Sequence, residues 1–249
     1  MFSLRIAIAG SMLLIATAVA AQTQRPPVGG IGSPPDAMIF YVAQGGPDTC
    51  GLGCSEWIAA EGTVQWDTHK RLFNILDRHG GRKLLLVINA WGESNLNVAT
   101  SLGRILRDRG IDTMAGVTEA LDCAGKPEAE CLALKRQGGP LAAKMKLPDG
   151  PCDFACVLML AGGVQRHLPG GTRVVLTGMH LHNRLAPNVS PEAREILPDR
   201  FGEQFRKYLR DMDVATELLD IVERRGGSRG GVEVPPSMAL KAADVDKTK

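Results

Sequence analysis

Leu84-Leu85-Leu86-Val87-Ile88-Asn89 decides the fold. Its apolar residues run on without the polar alternation of a half-exposed strand, the pattern of a strand covered on both faces in a parallel sheet. Upstream, Asp67 stands where a helix cap belongs, Arg71, Leu72, Phe73, Ile75 and Leu76 follow it, and Gly80-Gly81 supplies the stop. Before that helix, Trp57-Ile58-Ala59-Ala60 leads through Gly62 to Val64 as a strand, and Ala37 to Ala43 is a short β-prone run bounded by Pro35 and Gly45. Downstream, Asn95 is placed to cap a helix whose Leu102, Ile105 and Leu106 share one face, opposite Arg104, Arg107 and Asp108. Gly110 ends it, and Ile111 to Val117 reads as the next strand.

Strands alternating with helices predict βαβ units and a mainly parallel sheet, so the fold class is α/β. From Thr118 to Gly150 the pattern lapses into a charged, Gly- and Pro-punctuated insertion, expected as a functional lid or a stapled excursion. Order returns with a helix over Phe154 to Leu160, closed by Gly162-Gly163. Arg173 to Thr177 is a strand expected in the same sheet as Leu84–Asn89 and Ile111–Val117. Helical text then passes through Phe205, Tyr208, Leu209 and Met212 to Leu218, Leu219, Ile221 and Val222.

The 249 residues are 44% hydrophobic, enough for a sizeable core, and carry 29 Lys+Arg against 27 Asp+Glu. A net charge of +2 is too small to create the basic field that nucleic acid or anionic lipid demands. Met1 to Arg5 is a short basic region, Ile6 to Ala16 an apolar one, and Ala18-Val19-Ala20 a small-x-small signal, so residues 1–21 read as a cleaved secretory signal peptide. Residues 22–36 read as a disordered Pro- and Gly-rich linker, 37–225 as the folded domain and 226–249 as a flexible tail. No later apolar run reaches the roughly 18 residues that span a bilayer, so no membrane span is expected after cleavage.

Six cysteines are an even set suited to an oxidising compartment. They allow 15 connectivities; pairing of near neighbours, Cys50 with Cys54, Cys123 with Cys131 and Cys152 with Cys156, closes the shortest loops. Their spacings lack the tight knuckles and nearby His of a zinc site, and neither metal nor cofactor is expected.

Function in an α/β fold collects at the carboxyl ends of strands and the helix N-termini facing them. Three segments qualify: Asn89-Ala90-Trp91-Gly92-Glu93 after one strand, Pro151 to Ala155 before a buried helix, and His180-Leu181-His182-Asn183 after another strand. In order and spacing, from Ile39 to Asp220, they resemble the Clp/crotonase superfamily, within it secreted, cysteine-bearing proteins similar to the proteolytic subunit of Clp protease. The Ala161-Gly162-Gly163 stop and the late helix Tyr208-Leu209-Arg210-Asp211-Met212 resemble family features too. The resemblance implies a Clp/crotonase-like spiral of βαβ units with C-terminal helices. It also implies a His-Ser-Pro-Gly-Gly-like oxyanion loop at Gly92 and Glu93, a serine nucleophile in the Cys-x-x-x-Cys segment and a general base at His180.

The chain departs from that pattern twice. Phe154 stands where the serine should be, and a phenyl ring has neither a nucleophilic atom nor a proton for a base to take. Glu93 replaces a glycine of the oxyanion loop and brings a carboxylate to where negative charge would develop. The expectation is a secreted, bacterial periplasmic serine-peptidase-like protein that is catalytically degenerate, with His180 a vestigial base and a cleft that takes a peptide or small-molecule ligand. Beside it stand an active peptidase or hydrolase using Ser94 or Cys152, and a structural subunit of a homo-oligomer. Asp153 is placed to cap its helix. His180 and His182 lie two apart, on one side of a strand, and without a third ligand read as ordinary strand-end histidines.

Overall fold

A computed structural model of the chain describes residues 33–176, 199–224 and 231–242. A seven-stranded sheet lies at its centre, in the order β5-β6-β1-β2-β3-β4-β7. The strands are β1 (Ile39–Gln44), β2 (Glu56–Gly62), β3 (Leu85–Ala90), β4 (Thr113–Ala115), β5 (Val117–Ala120), β6 (Leu141–Lys146) and β7 (Arg166–His167). Neighbours are parallel except β1 with β2 and β5 with β6. The molecule is thus mixed α/β with a mostly parallel sheet.

Helices α1 (Thr68–Arg78) and α2 (Leu96–Asp108) connect β2 to β3 and β3 to β4, the crossovers that parallel pairing requires. Asn95 caps α2 as expected, its side chain accepting from the Val98 amide at 3.1 Å. Asp67 occupies the cap position of α1 but makes no cap bond. Its carboxylate instead accepts from the Ser33 hydroxyl and from Arg71 Nη1 at 2.7 Å, so a charged partner outcompetes the helix amides.

Both faces of the sheet are covered, which is why β3 reads as a continuous apolar run. Met38, Phe40, Val42, Ile58, Ala60, Leu86 and Ile88 form one face with residues of α1, α2 and α4 (Phe154–Ala161). Ile39, Tyr41, Ala43, Trp57, Ala59 and Val87 form the other, under Leu132 and Leu134 of α3 (Glu128–Arg136). Alternate residues of β1 and β2 thus serve opposite cores. Every residue of α4 is buried, as suits a helix apolar all round.

Three expectations need correction. Ile111 to Val117 is not one strand. The chain turns at Gly116, whose amide donates to the Ile88 carbonyl at 3.1 Å and where a Cβ would stand 3.0 Å from Val87 Cγ1; β4 stays beside β3, whereas β5 leaves to pair with β6. The stretch from Thr118 to Gly150 is not an excursion outside the sheet, because β6 is built into it, parallel to β1. Lastly, β8 (Val174–Leu176) does not join the main sheet but pairs antiparallel with β9 (Val232–Val234), and β7 takes the place beside β4. The backbone of Cys152 holds β8 in that position: its amide donates to Arg173 O at 2.8 Å and its carbonyl accepts from the Val175 amide at 3.1 Å.

Beyond the sheet lie α5 (Asp199–Asp211), α6 (Glu217–Arg224) and the short α7 (Pro236–Ala239), within residues read as helix and tail. Phe205, Tyr208 and Leu209 of α5, with Met212 just after it, join the α4 core. No helix among the described residues is long and apolar enough to cross a membrane.

Candidate functional site

Two of the three expected segments fall within the described residues; His180 and His182 lie outside them. The first follows β3. Gly92 takes a φ of 69°, a conformation that favours glycine, and carries the chain out of the strand between exposed Trp91 and Glu93. The loop is pinned to the β2–α1 connection: Gln65 Nε2 donates to the Glu93 carbonyl at 3.2 Å, and the Asn95 amide donates to Val64 O at 2.8 Å. Ser94 belongs to that brace. Buried at the start of α2, its hydroxyl oxygen accepts from the Val64 amide at 3.0 Å.

The second segment opens α4. Asp153 caps the helix as expected, accepting from the Cys156 amide at 2.9 Å. Burial pushes its carboxyl up to about 6, against the opposing pull of the Cys156 and Ala155 amides. Cys152 and Cys156 are bonded to each other across the first turn, with Cα atoms 5.3 Å apart. Neither sulfur is therefore a thiolate. Phe154 is 3% exposed and meets Phe205 of α5 edge to face, ring centroids 5.7 Å apart. The residue in the expected nucleophile position is thus a core side chain.

Cys50–Cys54 and Cys123–Cys131 are likewise bonded, and both pairs adjoin the core on the α3 side. All three local pairings expected from the spacing are present, and no free cysteine remains. Among the described residues no group of three His, Cys, Asp or Glu side chains converges as a metal site.

A cavity of about 310 Å³ opens at the carboxyl ends of β2 and β3, on the α3 face, with Ile39, Glu61, Trp91, Leu132 and Lys135 in its lining. Phe154 packs on the opposite face, so Trp91, but not the α4 N-terminus, borders this space. Glu61 is 9% exposed and doubly held: Lys135 Nζ lies 2.6 Å from Oε2, and the Tyr41 hydroxyl donates to Oε1 at 2.8 Å. Lys135 Nζ also stands 5.2 Å from the centre of the Tyr41 ring. Burial, then the neighbouring Glu61 charge, raises the Tyr41 hydroxyl well above its ordinary pKa, so Tyr41 acts as a neutral donor.

Sequence reasoning missed this triad. Its one legible signal is an acid directly following the buried run Trp57-Ile58-Ala59-Ala60, since a buried carboxylate must find a partner. That partner comes from α3, 74 positions away, in the stretch taken for an excursion.

Compared with models of protein families, with curated proteins and with solved structures, the chain matches none of them.

Proposed function

We propose that this chain is an extracytoplasmic, periplasmic Clp/crotonase-like protein that binds a peptide or small molecule and does not hydrolyse it. The observation that carries the reading is Phe154, 3% exposed and packed on Phe205, at the helix start where the resemblance puts a serine. The Cys152–Cys156 bond supports it by leaving no thiolate at that helix start, and the hydroxyl of Ser94 braces the turn after β3. Three disulfides support a compartment outside the reducing cytoplasm. For the ligand, the cavity beside Trp91 offers an aromatic wall and a fixed ion pair at the carboxyl ends of two parallel strands, where α/β proteins take their ligands.

A fluorophosphonate probe of reactive serines tests the reading. The folded wild-type protein is expected to remain unlabelled. Labelling that disappears in Ser94→Ala would overturn the proposal in favour of an active hydrolase.

A further inference from the structure

Next to the Trp91 cavity, with Ile39 in the lining of both, a recess of about 210 Å³ lies between α1 and the end of α3. Arg71, Asn74 and Arg78 line it from α1, at a spacing that puts all three on one helix face, and Arg136 enters from the last position of α3. Phe40 and Ile75 are apolar parts of its wall. Among the described residues, three guanidinium groups line this recess and no carboxylate does.

The surrounding backbone holds the cations in place. Arg71 donates from Nε to the Met38 carbonyl at 2.6 Å and from Nη1 to Asp67 at 2.7 Å, which fixes its plane. Arg78 donates from Nη1 to the Gln137 carbonyl at 2.8 Å. That guanidinium rests against Gly138, where φ is 92° and a Cβ would stand 2.2 Å from Arg78 Nη1, so any side chain at 138 would push it away. Asp67 pairs with Arg71 and lies outside the lining. Burial, and then the charge of Arg71, lowers the pKa of Arg136, the mark of like charges held together in a partly desolvated space.

We infer that this recess is a binding site for a small tetrahedral oxyanion, inorganic phosphate or a phosphate monoester, clasped by Arg78 and Arg136 over the fixed charge of Arg71. Guanidinium forks match the oxygens of such an anion and form charge-assisted hydrogen bonds with it. Asn74 adds a neutral donor. The site shares Ile39 with the cavity beside Trp91 but none of that cavity's charged groups, and it does not depend on whether the chain hydrolyses anything.

Inorganic phosphate titrated into the intact protein at constant ionic strength, followed by calorimetry and thermal melting, tests the inference. Saturable binding at one site and a rise in Tm are expected. Arg136→Gln and Arg78→Gln should each weaken binding at least about tenfold, the loss of one charge-assisted contact. Arg78 is exposed, so its variant serves if Arg136→Gln does not fold. Arg82→Gln, at a guanidinium paired with Glu56 outside the recess, should bind like the wild type. Binding that fails to saturate, or that persists unchanged in Arg78→Gln, overturns the site. Vesicles of phosphatidylcholine carrying phosphatidic acid distinguish a lipid source: retention on them without saturable binding of inorganic phosphate overturns the assignment to a free anion.

Discussion

Gly103, in the middle of α2, and Gly162, at the end of α4, touch backbone to backbone: a Cβ on Gly162 would stand 2.3 Å from Gly103 Cα and 2.2 Å from its carbonyl oxygen. A Cβ on Gly103 would in turn lie 1.8 Å from the Tyr208 hydroxyl oxygen. The two glycines let α2 close on α4, and the space at Gly103 admits the Tyr208 hydroxyl, which donates to the Leu158 carbonyl at 2.6 Å. Three helices therefore meet at a point with no room for a methyl group.

Gly103→Ala is accordingly expected to destabilise the protein. Alanine's better helix propensity returns about 1 kcal/mol. Overpacking costs about 1–3 kcal/mol, and a displaced Tyr208 hydroxyl leaves a buried carbonyl unpaired at a further cost of about 1–3 kcal/mol. The net loss should be about 1–5 kcal/mol, read from denaturant melts. Tyr208→Phe placed on top of Gly103→Ala should cost less than it does alone, because the clashing oxygen is gone; strictly additive losses would show that the clash is not with that hydroxyl.

Asp153 makes stability depend on pH in an unusual direction for an acid. Its carboxyl is raised to about 6 in the folded state, so between the ordinary carboxylate range and pH 6 the native protein holds a proton that the unfolded chain has lost. This group's contribution is therefore most favourable below pH 4, declines through that window and is flat above it. The full effect is about 3 kcal/mol, from a rise of about two pKa units. Asn caps helices as well as Asp does, so Asp153→Asn should keep the cap, raise stability at pH 7 by about 1–3 kcal/mol and remove the decline. Urea melts at pH 4 and pH 7 on both proteins check this; parallel pH curves would contradict it.

Legibility followed the range of the interaction. The cap at Asn95, the buried β3 and the whole of α4 were readable because each is decided within a few residues by composition and spacing. By contrast, β6 was hidden because its buried residues are Leu141 and Ala143, with Met145 half-buried, interleaved with exposed Ala142, Lys144 and Lys146, a faint alternation in a charged stretch. Likewise β8 looked like another core strand until its partner appeared at Val232–Val234, a pairing that no local pattern announces. The site divides in the same way. Phe154 and the cysteine pairs could be read as residue types, whereas the Tyr41–Glu61–Lys135 triad depends on α3 folding back over β1.

The three disulfides should differ in their resistance to reductant. Cys152 and Cys156 are 3% and 1% exposed, whereas Cys54, Cys123 and Cys131 are each half-buried. Thiol exchange needs access to sulfur, so under mild native reduction the first two bonds should open well before Cys152–Cys156. Replacing that last pair by alanines should cost about 2 kcal/mol, the constraint of a short loop. Timed alkylation with mass mapping gives the order; alkylation of Cys152 and Cys156 first would mean that the start of α4 is open to solvent.

The same buried helix start determines what a serine at position 154 can do. Replacing Phe154 removes the ring that meets Phe205 edge to face, and truncating a buried phenylalanine costs about 3–5 kcal/mol. The new hydroxyl would sit in the core beside the Cys152–Cys156 bond, where an ester could reach it only by local opening. Phe154→Ser is therefore expected to be strongly destabilised and to leave the hydrolysis of an activated ester at background, with Glu93→Gly added or not. Phe154→Leu, which keeps much of the apolar volume, should lose less stability and be equally inactive. Melting curves and a burst assay with a chromogenic ester on the three variants separate the effects. A burst of product from Phe154→Ser that is absent from Phe154→Leu would show that the α4 N-terminus faces a working cleft, and the non-hydrolytic reading would then rest on one substituted side chain in an otherwise intact catalytic site.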